Sequence, residues 1–137
     1  MSNKVYTLDM FGVNKHEFTL DNGLKTIFIE KPYSPIYAKM MFKAGAVFHE
    51  MDSGLAHLTE HLIMNGTREV DEEQLARLVD AVGGYTNAST SMGVMAVKAE
   101  IVLADQLPTM RDFFQHVVGE LYVTEQSLSL EKKDCLR

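Results

Sequence analysis

Two histidines and a glutamate in the segment HLTEH, residues 57–61, have the types and spacing needed for metal-assisted hydrolysis. Successive helical residues are about 100° apart, so His57 and His61 project from one face and Glu60 lies beside them. Two neutral imidazoles can take two corners of a tetrahedral zinc site, leaving room for a third protein ligand and a water. Zinc would lower the pKa of that water, and Glu60 is close enough to accept its proton. The pattern HxxEH, the inverse of HExxH, thus predicts a zinc-dependent hydrolase site.

The residues around this motif predict a helix over 52–66. Asp52 or Ser53 can cap its start, and Asn65-Gly66 supplies a left-handed stop. Its apolar stripe consists of Leu55, Leu58 and Leu62. The alternative is an ordinary surface cluster of two histidines and a glutamate.

The remaining chain alternates between strand and helix patterns. Predicted strands cover 18–20, 24–30, 36–42, 85–91 and 94–101, and predicted helices begin near 71, 104 and 124. Asn22-Gly23 predicts a hairpin turn, and the cluster at 40–42 indicates a buried central strand. Asp71 with Gln74 resembles a capping box. The order predicts an α+β fold with a mostly antiparallel sheet covered on one face by helices.

Composition limits the classes of partner. The net charge of −6 and the lack of a basic run argue against nucleic acid. The single cysteine, Cys135, excludes an intramolecular disulfide. No apolar run approaches membrane-spanning length, and the N-terminus has no hydrophobic signal core. We therefore expect a cytoplasmic protein, one domain over residues 1–137, and neither a membrane nor a nucleic-acid partner.

The segment 85–91 is small and polar, which is unusual for a buried strand. As an edge strand it would offer backbone donors and acceptors to an extended peptide, the arrangement called β-augmentation. A weak polar edge strand with no partner is the alternative.

The motif and its surroundings resemble the pitrilysin family of metallopeptidases, which includes insulin-degrading enzyme and mitochondrial processing peptidase. The resemblance rests on GLAHLTEH at 54–61 followed by NGT at 65–67, and on the earlier Asn22-Gly23-Leu24 turn. It implies zinc ligation by His57 and His61, with Glu60 as the general base.

A second matching stretch is Gly83-Gly84 followed by Asn87, Ala88 and Thr90, similar to the family's "GG…NAxT" segment. The resemblance implies that these last three residues bind the peptide substrate. The next positions depart from the family pattern: Gly93 stands where an aspartate is usual, and Met95 where a threonine is usual.

A catalytic zinc site usually has three protein ligands. Spacing alone leaves the third open among Glu100, Glu120, Glu125 and Glu131. The resemblance implies a pattern like "E-x-x-x-x-x-R-E", which the chain reproduces from Glu131 to Arg137. The ligand would then be the residue just after Arg137, outside this chain. Glu131 would support the site or act as an accessory acid–base group, the alternative being an ordinary solvated glutamate.

The resemblance implies a zinc endopeptidase domain that hydrolyses extended peptides or unfolded polypeptides. This chain would be its N-terminal portion, without the homologous second half that another part of the polypeptide or a partner subunit supplies. We expect such a fragment to be inactive. The alternative is a non-catalytic peptide- or partner-binding subunit of the same fold. A purely structural zinc ranks last, because structural sites need four protein ligands.

Overall fold

The computed structural model describes residues 4–8, 12–48, 54–81, 83–119 and 121–135. The chain forms two compact units, residues 1–34 and 35–137, which are taken one at a time below. None of the described helices has both the length and the apolar character needed to cross a membrane. The proposed extent of a single domain over 1–137 stays a prediction.

The first unit is a three-stranded antiparallel sheet in the order β1-β2-β3. Its strands are β1 (Lys4–Leu8), β2 (Val13–Thr19) and β3 (Lys25–Glu30). The predicted hairpin between β2 and β3 is confirmed: the Asn22 side chain accepts the Leu24 N–H at 3.0 Å, and Gly23 has a φ of +85°.

The first unit also differs from the sequence prediction. Strand β2 begins at Val13 instead of Phe18, and β1 was not predicted. The sequence of β2 is mainly polar, and that of β1 has no regular alternation of apolar and polar residues, so neither segment shows the pattern that identifies a strand. Backbone pairing of β2 with a neighbour on each side forms the strands instead.

The second unit combines a sheet with four helices. Its elements in order are β4 (Ile36–Phe42), a 3-10 turn (Ala46–Phe48), α1 (Gly54–Ile63), α2 (Glu72–Ala81), β5 (Tyr85–Thr90), β6 (Met95–Ile101), a 3-10 turn (Ala104–Gln106), α3 (Leu107–Val117) and α4 (Glu125–Cys135).

The sheet of this unit is antiparallel with the order β4-β6-β5. The prediction that residues 36–42 form the central strand is wrong, because β6 is central and β4 is an end strand. Burial explains the difference: β4 alternates half-buried and exposed residues, with Met41 59% exposed, whereas β6 is buried at most positions. The expectation that β5 is an edge strand is confirmed within this sheet.

One face of the sheet packs against helices and forms the core. The core cluster consists of Leu75 of α2, Val97, Ala99 and Ile101 of β6, and Met110, Phe113 and Val117 of α3. Phe113 is fully buried and contacts Phe114 edge-on with ring centroids 5.4 Å apart. The predicted α+β class, with antiparallel strands and helices on one face, is confirmed.

Local signals place the helix ends. Asp71 and Gln74 form the predicted capping box, with hydrogen bonds of 2.8 and 2.9 Å between each side chain and the other residue's N–H. Thr124 accepts the Ser127 N–H at 3.0 Å and caps α4. The predicted α1 cap, at residue 52 or 53, lies outside the described residues.

We expect Phe113→Ala to lower the free energy of unfolding by about 3–5 kcal/mol, because it removes a large, fully buried side chain and leaves a cavity. Urea denaturation followed by circular dichroism measures this loss. The control is Gln115→Ala at an exposed position of the same helix, with an expected change within about 0.5 kcal/mol. Equal effects of the two substitutions would contradict this description of the core.

Candidate metal centre

Helix α1 places the two motif histidines side by side. Their Nε2 atoms are 3.2 Å apart, and their rings meet edge-on at 84°. Two nitrogens bound to one tetrahedral zinc at about 2.0–2.1 Å lie roughly 3.3–3.4 Å apart. The separation of the His57 and His61 nitrogens therefore fits a shared zinc ion with little movement of either ring.

Helix α4 supplies a partner for the second nitrogen of His61. The Nδ1 atom of His61 lies 2.9 Å from Oε2 of Glu131, whose side chain is 19% exposed. A carboxylate accepts hydrogen bonds, so Nδ1 carries the proton and Nε2 keeps its lone pair for a metal. A carboxylate–histidine pair of this kind fixes the ring orientation and raises the basicity of the nitrogen that binds metal.

Asn65 holds the other oxygen of the same carboxylate. Its Nδ2 donates to Oε1 of Glu131 at 2.9 Å. The turn after α1 depends on Gly66, whose φ is +97° and whose position leaves no room for a Cβ beside the Val70 carbonyl. From the sequence, Asn65 belongs to the helix stop and to the segment that resembles the family, with no predicted contact to Glu131. Its distance of four residues from His61 is the signal that could have placed it near the metal-binding face.

An open cavity of about 260 Å³ joins this centre to strand β5. The residues that line it are Glu60, His61, Met64, Asn65, Thr86, Asn87, Ala88 and Glu131. The structure therefore brings both predicted carboxylates and two of the three predicted substrate residues to one cavity. The third, Thr90, is not in that lining set, and its hydroxyl donates to the Ala56 carbonyl of α1 at 3.4 Å.

The pairing of β5 with β6 determines which backbone groups face outward. The Ser91 N–H donates to the Val94 carbonyl at 2.8 Å, so these two residues form a hydrogen-bonded pair. Along an antiparallel ladder, hydrogen-bonded pairs alternate with non-hydrogen-bonded pairs, so every second residue points its backbone groups at the neighbouring strand. Counting back from Ser91, Ser89 and Asn87 also point their N–H and C=O groups at β6. The N–H and C=O of Ala88 therefore point to the outer edge, next to the cavity.

Cys135 lies near the two histidines, although the motif does not include it. Its Sγ and one ring nitrogen from each of His57 and His61 all lie within 4.8 Å of one another. Among the described residues, this is the group of three donors that could hold a metal ion, and Glu60 does not belong to it. The ligand predicted just after Arg137 lies outside the described residues.

The chain matches the family model described as Insulinase (Peptidase family M16) over residues 26–137. It is 29% identical over 123 residues to the zinc protease PqqE of Helicobacter pylori, covering 87% of this chain and 28% of that protein. It is 27% identical over 128 residues to the mitochondrial-processing peptidase subunit beta of Neurospora crassa, covering 92% and 27%. The chain thus spans less than a third of the length of these relatives.

Solved structures show the same fold. A protease from Helicobacter pylori superposes with a TM-score of 0.80 at 26% identity, covering 88% of this chain and 29% of that one. Pitrilysin gives a TM-score of 0.79 at 22% identity, covering 98% and 15%. A peptidase M16 inactive domain from Pseudomonas fluorescens gives 0.79 at 20% identity, covering 88% and 30%. The last two likenesses concern the fold alone.

We expect Glu131→Gln to lower zinc affinity roughly 10- to 100-fold, because the neutral amide weakens the hydrogen bond that orients His61. Competition with a chelating dye measures the affinity. The control is Lys132→Gln, which removes an exposed charge one residue along α4 and should leave affinity unchanged. Unaltered affinity in the Glu131 variant would show that this carboxylate does not support the metal.

Proposed function

Because the chain belongs to the insulinase family of peptidases (peptidase family M16), we propose that it is the N-terminal portion of a zinc-dependent endopeptidase. The reaction is hydrolysis of peptide bonds in extended peptides or unfolded polypeptides. The observation that carries the proposal is the 3.2 Å separation of the two Nε2 atoms, with the other nitrogen of His61 held by Glu131. Two imidazoles oriented in this way suit a metal held for hydrolysis.

The residues of the centre have separate roles in this proposal. His57 and His61 hold zinc, which when bound supplies Lewis acidity to a water and to the peptide carbonyl. Glu60, half-buried at the wall of the cavity, takes the proton of the attacking water and passes it to the departing amine. Glu131 keeps the His61 ring in place, and its position in the cavity also suits an accessory acid–base role.

Substrate binds along strand β5 in this proposal. An extended peptide adds to the sheet edge through the backbone groups of Ala88, while Asn87 lines the same cavity. Thr90 contributes by tying β5 to α1, which fixes the distance between the bound peptide and the histidines. The peptide carbonyl is thereby brought to the side of the cavity where Glu60 and His61 lie.

The proposal includes parts that this chain does not contain. The relatives are more than three times as long as the segment they share with it. We propose that a homologous second half, on the same polypeptide or on a partner subunit, closes over the substrate. We also propose a carboxylate ligand just after Arg137. The isolated chain should therefore hydrolyse peptides slowly or not at all.

The second candidate is a non-catalytic subunit that binds a peptide or a partner through β5. A solved structure described as an inactive domain has the same fold, and β5 offers an open edge in its sheet. The presence of His57, Glu60 and His61 together favours the peptidase, because a binding subunit has no need of a metal-binding pair beside a base.

In a protein that continues past Arg137 and supplies the proposed carboxylate ligand, we expect about one zinc per molecule to be retained after dialysis against trace metal. His61→Ala should lose it, because that variant lacks one of the paired nitrogens. Elemental analysis measures the stoichiometry. His16→Ala, a histidine of the first unit, is the matched control and should keep its zinc. Equal zinc in the His61 variant would refute the proposed centre.

Glu60→Gln separates the two candidate functions. In a protein that contains this segment and its second half, the substitution should lower kcat roughly 100-fold or more by removing the base, with zinc content unchanged. Hydrolysis of an unstructured fluorogenic peptide measures the rate, and Glu69→Gln at an exposed position is the control. Peptide binding without any turnover in the unsubstituted protein would support the binding subunit instead.

Peptide addition to β5 can be tested through the peptide itself. In an added strand, every second residue points its backbone N–H at the edge strand. We expect a fluorescent extended peptide to lose most of its affinity when the nitrogens that face Ala88 are methylated, because strand pairing needs those donors. Fluorescence anisotropy measures binding. The same peptide methylated in the opposite phase is the control and should bind normally. Equal binding of both peptides would contradict the proposed edge.

A further inference from the structure

We propose that Lys98 selects peptides that carry an acidic side chain at the residue placed opposite Asn87. The inference rests on the proposed binding of an extended peptide along β5, and it adds the class of substrate that this strand edge prefers. Lys98 belongs neither to the HxxEH motif nor to the residues that line the cavity. Its role follows from the charges on the other face of the sheet.

Lys98 lies on the outer face of the β4-β6-β5 sheet, the face that does not form the core. Val97 and Ala99, on either side of it in β6, belong to the core cluster, and side chains alternate along a strand. Its direct partners in the sheet are Lys39 in β4 and Asn87 in β5. Directly opposite residues share a face, so the outer face carries the row Lys39, Lys98, Asn87.

This row sets two lysines directly against each other. Both backbone groups of a residue in an antiparallel sheet point to the same neighbouring strand. Asn87 and Lys98 point theirs at each other, so Lys39 and Lys98 form a non-hydrogen-bonded pair. Side chains come closest in such pairs, and like charges there are unfavourable. No ion pair in the described part of the chain includes either lysine, so a carboxylate from a bound peptide would offset the repulsion.

Tyr85 draws the Lys98 ammonium towards the edge of the sheet. The Nζ atom lies 5.1 Å from the centre of the Tyr85 ring, in a cation–π contact. Tyr85 belongs to the end strand β5, on the side of β6 away from Lys39. Because neighbouring strands are about 4.8 Å apart, a glutamate on a strand added outside β5 can reach this ammonium.

The geometry of strand addition decides which peptide side chains face Lys98. The peptide residue opposite Ala88 has its side chain on the same face as Ala88, which lines the cavity. The next peptide residue, opposite Asn87, has its side chain on the outer face, with its Cβ about 4.5–5.5 Å from that of Asn87. Asn87 is short and exposed, so it leaves the space between this side chain and Lys98 open. The cavity and Lys98 therefore contact alternate residues of one peptide.

Two fluorescent extended peptides that differ only in having Glu or Gln at alternate residues test this selection. The protein contains this segment and its second half, and it carries Glu60→Gln so that bound peptide is not cleaved. Fluorescence anisotropy at low ionic strength measures both affinities. We expect the Glu peptide to bind roughly three- to fivefold more tightly than the Gln peptide, the size of one solvent-exposed charge pair.

Lys98→Met should abolish that preference, because it removes the charge and keeps a long unbranched side chain. The matched control is Lys132→Met, which removes the same charge from an exposed position of α4 and should retain the preference. Charge reversal provides a second variant: Lys98→Glu should bind a peptide with Lys at the same alternate residues more tightly than the Glu peptide. This reversal depends on the sign of the charge at residue 98 and not on the stability of the sheet.

The outcomes separate this inference from the function on which it rests. Equal binding of the Glu and Gln peptides by the protein with Lys98 would overturn the role of this lysine and leave peptide addition to β5 in place. A preference that persists in Lys98→Met, or that Lys98→Glu does not reverse, would also overturn it. Failure of both peptides to bind would overturn the inference together with the proposed edge.

Discussion

The hydrogen bond between Nδ1 of His61 and Glu131 joins α1 to α4 through two residues that are 70 positions apart in the chain. It decides which nitrogen of His61 is available and in which direction that nitrogen points. Asn65 holds the same carboxylate from the other side, so Glu131 cannot turn without losing a second hydrogen bond. The geometry of the proposed metal centre therefore depends on α4 remaining packed against α1.

Helix α1 packs against the sheet and is hydrogen-bonded to β5. Ala56 and Leu62 are buried, and the Ala56 carbonyl accepts the Thr90 hydroxyl of β5. The same strand directs the backbone groups of Ala88 to its outer edge. Helix α1 thus fixes both the distance between the two histidines and the distance from the histidines to the edge of β5. A rigid spacing of this kind suits a reaction in which a bound peptide must meet a positioned water.

The family gives this arrangement its context. The insulinase model covers residues 26–137, which include the motif helix, β5 and α4. Asn65 donates a hydrogen bond to Glu131, and the Sγ atom of Cys135 lies within 4.8 Å of a ring nitrogen of each motif histidine. Such neighbours can alter metal affinity without changing the motif, because a ligand's orientation is set by what it contacts.

The sequence by itself determined the local features: the helix with His57 and His61 on one face, the capping box at Asp71, and the turn at Asn22-Gly23. These depend on residues within one or two turns of each other, whose spacing the chain fixes directly. The sequence missed β1, which pairs with the neighbouring β2, because its residues show no regular alternation. It assigned β4 to the centre of its sheet because strand order there depends on β6, which lies far away in the chain.

Only the tertiary structure decided the contacts between distant segments. The pairing of Glu131 with His61 and the place of Cys135 beside both imidazoles depend on how α1 and α4 pack together. The outward direction of Ala88's backbone depends on the pairing of β5 with β6. The spacing of residues along one helix fixes which side chains share a face. It does not fix which distant helix faces them, because that is set by burial of the shared core.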